Sequence, residues 1–285
     1  MNDPAGNPYG DLYIYYLEGC VRAGDAFFGD QFIGNWEEGG HAFLFFSAPS
    51  EAVVDRLIDN EPQLTVLDRF HMSYDDWHGE PVTPFSVGRI TVVPPWYDVS
   101  SCCRPEFRTG SLPKSGQVLL DPGVVFGTGS HPTTRDCLEA LDMVSRLKVP
   151  ETVLDIGTGT GVLALAAVRL GSKKVLAVDL NRLAARTTRR NVVLNGMDKQ
   201  VLVVQGDAEN FMDFTRDLVI SNIHYDVMKR LIRNPGFLSG EFFILSGLLR
   251  SQAEKIERSL GSLPVAIIKK WDTGGIWHTY LGRIQ

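Results

Sequence analysis

The chain has 285 residues, 44% hydrophobic and 22% charged, a composition that excludes disorder and collagen-like repeats and suffices for one large domain or two modest ones. The net charge of −6 hides an asymmetry: residues 1–100 hold 16 Asp and Glu against 4 Arg and no Lys, −12, while residues 101–285 carry +6. An acidic first segment predicts a basic partner and argues against nucleic acid, whose phosphates it would repel. No run of ~18 apolar residues occurs and the first residues lack a basic stretch followed by an apolar one, so a cytoplasmic chain without membrane span or leader is expected. Four cysteines, Cys20, Cys102, Cys103 and Cys137, read as reduced thiols, and no Cys or His spacing suggests a metal.

In chain order, residues 12–17 and 42–46 read as short aromatic-rich strands, and residues 51–58, opened by Ser50 as a cap, have helical spacing at Val54, Leu57 and Ile58. Residues 88–93 read as a closing strand stopped by Pro94 and Pro95. Together they predict a small α+β domain over residues 1–99, with its aromatics, Tyr13, Tyr15, Phe43 and Phe45 among them, mostly in the core. Residues 100–117 contain Gly, Pro, Ser and Lys without apolar periodicity and read as a linker. From residue 118 onward the pattern is regular. Helices are predicted at 132–147, 162–170, 182–194, 225–232 and 250–260, and strands at 153–156, 174–178, 201–204, 218–221 and 242–245. Such alternation predicts an α/β fold, a doubly wound and mostly parallel sheet, over residues 118–285. The last two apolar runs, 265–270 and 276–282, read as an antiparallel hairpin at its edge.

The run Val153-Leu154-Asp155-Ile156-Gly157-Thr158-Gly159-Thr160-Gly161 is a strand entering a glycine turn and then a helix. Such a turn brings bare backbone N–H groups against a ligand at a helix N-terminus. The dinucleotide fingerprint wants its third glycine at position 162, which is Val, so a nucleoside-like ligand other than NAD is expected. Asp179 closes the next strand, 22 residues beyond Gly157, where its carboxylate can accept from both ribose hydroxyls. Asp207 follows the third strand and could meet an adenine edge or simply cap a turn. In residues 126–134, two glycines give an arch with Phe126 as an apolar lid, and Thr133 and Thr134 follow Pro132 at a helix start, with hydroxyls and free N–H groups for a carboxylate. His131 and His224 could act as bases, although imidazoles more often satisfy backbone partners. Arg182, Arg186 and Arg189 fall on one helical face and read as a solvated stripe.

These residues resemble the class I S-adenosylmethionine-dependent methyltransferases, whose first motif looks like Gly157-Thr158-Gly159-Thr160-Gly161 with an acid after the next strand. The segment Leu120-Asp121-Pro122-Gly123-Val124-Val125-Phe126-Gly127-Thr128-Gly129-Ser130-His131-Pro132-Thr133-Thr134 is similar to the hallmark of the methyltransferases of ribosomal protein L-eleven (L11), the PrmA family. Asp217-Leu218-Val219-Ile220-Ser221-Asn222-Ile223 and Leu245-Ser246-Gly247-Leu248-Leu249 are similar to its later motifs, and Asp76-Trp77 with residues 84–96 to its substrate-recognition module. The resemblance implies a seven-stranded Rossmann-like sheet and S-adenosyl-L-methionine as cofactor. It further implies N-methylation of lysine ε-amines or the α-amine of ribosomal protein L11, with the acidic first domain gripping that basic target. Carried over by position, Thr134, Gly157, Asp179 and Asn222 contact the cofactor, joined by Phe126, Gly127, Thr128, Thr133, Asp155, Gly159, Gly161 and Asp207, and Asn222 is the catalytic residue that orients the amine. Another protein, a small-molecule amine, or a non-catalytic cofactor-binding role stays open, as does the oligomeric state. Around Asn222 the chain reads His224-Tyr225-Asp226, where the family has small apolar residues.

Overall fold

The computed structural model describes residues 7–97 and 116–285. The linker expected at 100–117 therefore lies almost wholly outside the described residues, as do Cys102 and Cys103.

Strands β1 (Asp11–Glu18), β2 (Phe32–Glu38), β3 (His41–Phe46) and β4 (Thr65–Ser73) form a four-stranded sheet in the order β2-β3-β1-β4. Its side chains alternate. Tyr15, Leu17, Leu44 and Phe46 point to one face, where helix α1 (Glu51–Asn60) covers them with Val54 and Leu57. Leu12, Ile14 and Phe45 point to the other face and pack on Val124, Val125, Leu183 and Ala184 of the later segment. Tyr15 and Phe45 are thus core, but Tyr13 and Phe43 are only half-buried. Ser50 sits at the start of α1 without capping it: its hydroxyl donates to Ala48 O, and its N–H is held by the Tyr15 hydroxyl.

The short helix α2 (Tyr74–His78) follows, and then β5 (Phe85–Val87) and β6 (Ile90–Val93) form a hairpin. Contrary to the sequence expectation, β6 does not close the first sheet. It pairs in parallel with β7 (Gln117–Leu119), and Ile90 and Val92 join the core beneath helices α3 (Pro132–Leu147) and α4 (Val162–Arg169).

The large sheet contains β8 (Thr152–Ile156), β9 (Lys174–Asp179), β10 (Val201–Gln205), β11 (Leu218–Asn222), β12 (Phe242–Leu249), β13 (Val265–Thr273) and β14 (Trp277–Ile284). Its order is β10-β9-β8-β11-β12-β14-β13, with the first five strands parallel and the closing hairpin antiparallel. Helices α5 (Arg182–Leu194), α6 (Tyr225–Arg233) and α7 (Arg250–Leu260) complete the two covering layers. Chain order runs outward from β8 to β10 on one side and from β11 to β12 on the other. The crevice at the carboxyl ends of β8 and β11 is therefore the switch point, where open α/β sheets bind ligands. Among the described residues no helix is long and apolar enough to cross a membrane.

Candidate functional site

At the switch point β8 runs into Gly157 and its neighbour β11 ends in Asn222, with Ser221 paired to Ile156. Gly157 has φ +69, and a Cβ there would lie 2.2 Å from Ile223 Cγ2, so only glycine lets the two strand ends come this close. Gly161, φ +85, opens α4 under Thr188, and Gly159 donates its N–H to Asp179 Oδ2 at 2.9 Å. Asp179 Oδ1 accepts from Asn181 N–H at 2.9 Å. Burial raises the pKa of Asp179, and those two N–H bonds pull it back. Each oxygen keeps a further lone pair that those bonds do not use.

Asp155, only 1% exposed, lies beneath this loop. Its Oδ2 accepts from the Thr158 hydroxyl at 2.6 Å, while Oδ1 is buried and, among the described residues, meets no donor in close hydrogen-bond geometry. Burial pushes its pKa up to about 7 and the nearby Asp179 charge adds to the rise, against the pull of the Thr158 hydroxyl and the Ala164 N–H. A buried carboxylate half so poorly satisfied is expensive, so this position suits a cationic ligand.

The arch over residues 126–134 is held to the glycine loop by the Thr160 hydroxyl, which donates to Gly127 O at 2.8 Å. Phe126 is 56% exposed at its crest, and Thr128 bonds Ser130 within the arch. α3 starts as expected with Pro132 in its first turn, and His131 is the cap: its Nδ1 accepts from Thr133 N–H. That satisfies the backbone-partner role for His131. His224 precedes α6 without capping it and is exposed. Thr133 and Thr134 are both buried, yet they differ. Thr133 Oγ1 meets His131 Nδ1 and Asn222 Nδ2, whereas Thr134 Oγ1 has no partner among the described residues. Asp207 is exposed and caps a 3₁₀ turn by accepting from Glu209 N–H.

Several residues that hold the site escape a reading by sequence pattern. Asn191, fully buried on α5, donates to both Asp121 O and Thr160 O, and Thr188 donates to Gly159 O. From the first segment, Trp77 Nε1 donates to Val124 O and His78 Nε2 lies 2.9 Å from Gly123 O. α2 therefore pins the base of the arch, and a cleft of about 480 Å³ opens between Trp77, His78, Phe126, Thr128 and His131. Arg186, expected in a solvated stripe, instead bonds Ile33 O at 2.9 Å and pairs with Asp25, while Arg189 donates to Val203 O. Only long-range contacts define these roles; the polar residues at α5 positions 188 and 191 are the one sequence signal, being buried-face positions of an amphipathic helix.

A doubly wound sheet with a glycine loop at its switch point and an acid closing the next strand defines a Rossmann-like methyltransferase fold. The chain belongs to the ribosomal protein L11 methyltransferase (PrmA) family, whose profile matches residues 57–283. It is 34% identical over 203 residues to the ribosomal protein L11 methyltransferase of Desulforamulus reducens, covering 70% of this chain and 61% of that protein. The corresponding protein of Prochlorococcus marinus is 37% identical over 206 residues, covering 69% and 62%. The chain thus spans about three fifths of the length of these relatives. The crystal structure of a ribosomal protein L11 methylase from Lactobacillus delbrueckii subsp. bulgaricus superposes with a TM-score of 0.58 at 28% identity, over 71% of this chain and all of that one.

Proposed function

We propose that this chain transfers the methyl group of S-adenosylmethionine to amino groups, lysine ε-amines or the α-amine, of ribosomal protein L11. The observation that carries the reading is the juxtaposition of Asn222 with the Gly157 loop at the switch point, within a family match that spans both.

The residues present fit the cofactor. Two buried polar atoms without close partners among the described residues, Asp155 Oδ1 and Thr134 Oγ1, lie at the loop and at the start of α3. One can meet an ammonium or sulfonium charge, the other a carboxylate. Asp179 would hold the ribose hydroxyls with its remaining lone pairs, Gly157, Gly159 and Gly161 would bring backbone against the nucleoside, and Asp207 would lie toward the base. Phe126, Gly127 and Thr128 would cover the donor from the arch. When bound, S-adenosylmethionine supplies a methyl on cationic sulfur, which an amine lone pair takes as the carbon–sulfur pair leaves on sulfur.

The protein's part is orientation. Asn222 Oδ1 accepts an N–H of the neutral amine and so aims the nitrogen lone pair forward; the proton left on the methylated nitrogen goes to water. The acidic residues 1–99 would present the target and residues 118–285 would carry the chemistry, in the cytoplasm where ribosomal proteins are made. Charge complementarity speeds such an encounter more than it tightens it. Mass spectrometry of ribosomal proteins from cells with and without this chain tests the reading. Methyl groups on L11 that vanish with the chain are expected, and an unchanged L11 beside another protein losing methyl groups would refute the acceptor.

A further inference from the structure

Thr133 and His131 carry an arrangement that the methyl-transfer reading does not use. Thr133 Oγ1 lies 2.7 Å from His131 Nδ1 and 3.3 Å from Asn222 Nδ2, and Thr133 N–H points at the same Nδ1 from 3.4 Å. The backbone N–H cannot turn round. An Nδ1 that accepts from it bears no proton, and that assignment, which alone uses both contacts, puts the ring proton on Nε2. The Thr133 hydroxyl can then only donate to Nδ1, leaving its lone pairs for Asn222. An amide turned the other way would set Oδ1 against those lone pairs at the same 3.3 Å.

We infer that His131 and Thr133 are positioning residues: their one-way chain, Asn222 N–H to Thr133 O–H to His131 Nδ1, fixes the Asn222 amide so that its oxygen, not its NH₂, meets the acceptor amine. Orientation decides the chemistry. An oxygen accepts the amine's N–H and leaves the lone pair forward, whereas an NH₂ would donate to that lone pair and mask the nucleophile. Two features of the surroundings hold the chain in place. Thr133 is 1% exposed, and Gly247 leaves room for Asn222 Oδ1, since a Cβ there would lie 3.0 Å from it. The His131 ring is wedged between Phe126 and Trp277, and burial lowers its pKa, which keeps it neutral. The titratable side chains lining the same cleft are His78, also lowered by burial, and Glu80.

The inference rests on the proposed role of Asn222, but its first test needs no turnover. Long-range proton–nitrogen spectra of the imidazoles in the full chain, with His131 assigned by its loss in His131→Asn, should show the neutral Nε2–H tautomer at pH 7.5. A proton on Nδ1 would overturn the chain. Kinetics with L11 then separate positioning from packing. Thr133→Val should lower kcat roughly 10- to 100-fold with KM for the cofactor nearly unchanged, and Thr133→Ser should restore most of it. Wild-type kcat in a folded Thr133→Val variant would refute the inference. A wild-type chain inert toward L11 would refute the acceptor instead, and the tautomer alone would then decide the chain.

Discussion

Replacing Asp155 by Asn should stabilise the free protein and weaken its hold on the cofactor, two effects of opposite sign from one side chain. Burial raises the folded carboxyl to about 7 from the ordinary 3.8. Between those values the folded state binds a proton that the unfolded chain has released, so wild-type stability falls as pH rises through the window and levels off above about 7. At ~1.4 kcal/mol per pH unit the whole window has a ceiling of roughly 4 kcal/mol. Roughly 2–3 kcal/mol of it accrues between pH 5 and pH 8. The Asn variant lacks this loss. Its Oδ1 can still accept from Thr158, but its NH₂ takes the place of an oxygen that meets no acceptor and only the Ala164 N–H among the described residues. That buried donor costs about 1–3 kcal/mol at every pH. The stability difference between variant and wild type should therefore be near zero at pH 5 and should grow in the variant's favour by roughly 2–3 kcal/mol by pH 8. Urea unfolding at the two pH values measures this. S-Adenosylmethionine titrated calorimetrically at pH 8 should bind the variant roughly 10- to 100-fold more weakly, since a charge-assisted hydrogen bond is worth about 1.5–3 kcal/mol. A pH-independent stability difference would refute the buried-charge argument, and unchanged affinity would remove Asp155 from the site.

Three further outcomes are expected. Gly157→Ala combines a positive φ with a Cβ 2.2 Å from Ile223 Cγ2 and should cost about 2–4 kcal/mol in chemical denaturation, part of which Ile223→Ala recovers; a neutral substitution would contradict the close approach of β8 and β11. Thr134→Val removes a hydroxyl that has no partner among the described residues, so thermal unfolding should be unchanged or slightly raised while cofactor affinity drops several-fold in titration calorimetry. Arg186→Met breaks the bonds to Ile33 O and Asp25 and should lower stability by roughly 1–2 kcal/mol, with faster proteolysis at β2 as the readout of a loosened first segment.

The parts of the fold legible in the sequence are those whose local signals agree with their tertiary setting. α3 begins at Pro132 and ends at Leu147, as its apolar spacing and initiating proline predict. β8, β9 and β11 are short buried apolar runs, which parallel strands between two helix layers must be. β2 escapes because Gly34 and Asn35 break its pattern, and the structure gives the reason: a Cβ at Gly34 would lie 2.4 Å from Leu183 Cδ1 of α5. β4 escapes because most of its side chains are exposed, so no alternation survives. β5 and β7 have three residues each and exist through pairing with β6. At the site, the glycine loop and Asp179 are readable because a turn at a strand end leaves a compositional mark. Trp77 and His78 leave none, and Thr188 and Asn191 only their polarity on a buried helix face, since each acts on a backbone carbonyl at least 29 residues away.

The central claim, a methyl donor held at the switch point and an amine acceptor on ribosomal protein L11, is tested most directly by incubating the purified full chain with L11 and isotopically labelled S-adenosylmethionine and reading intact L11 by mass spectrometry. Label should appear on L11 with wild type and be lost with an Asn222→Ala variant whose circular dichroism and thermal unfolding match the wild type. Unlabelled L11 with the wild-type chain, or equal labelling by the Asn222→Ala variant, would contradict it.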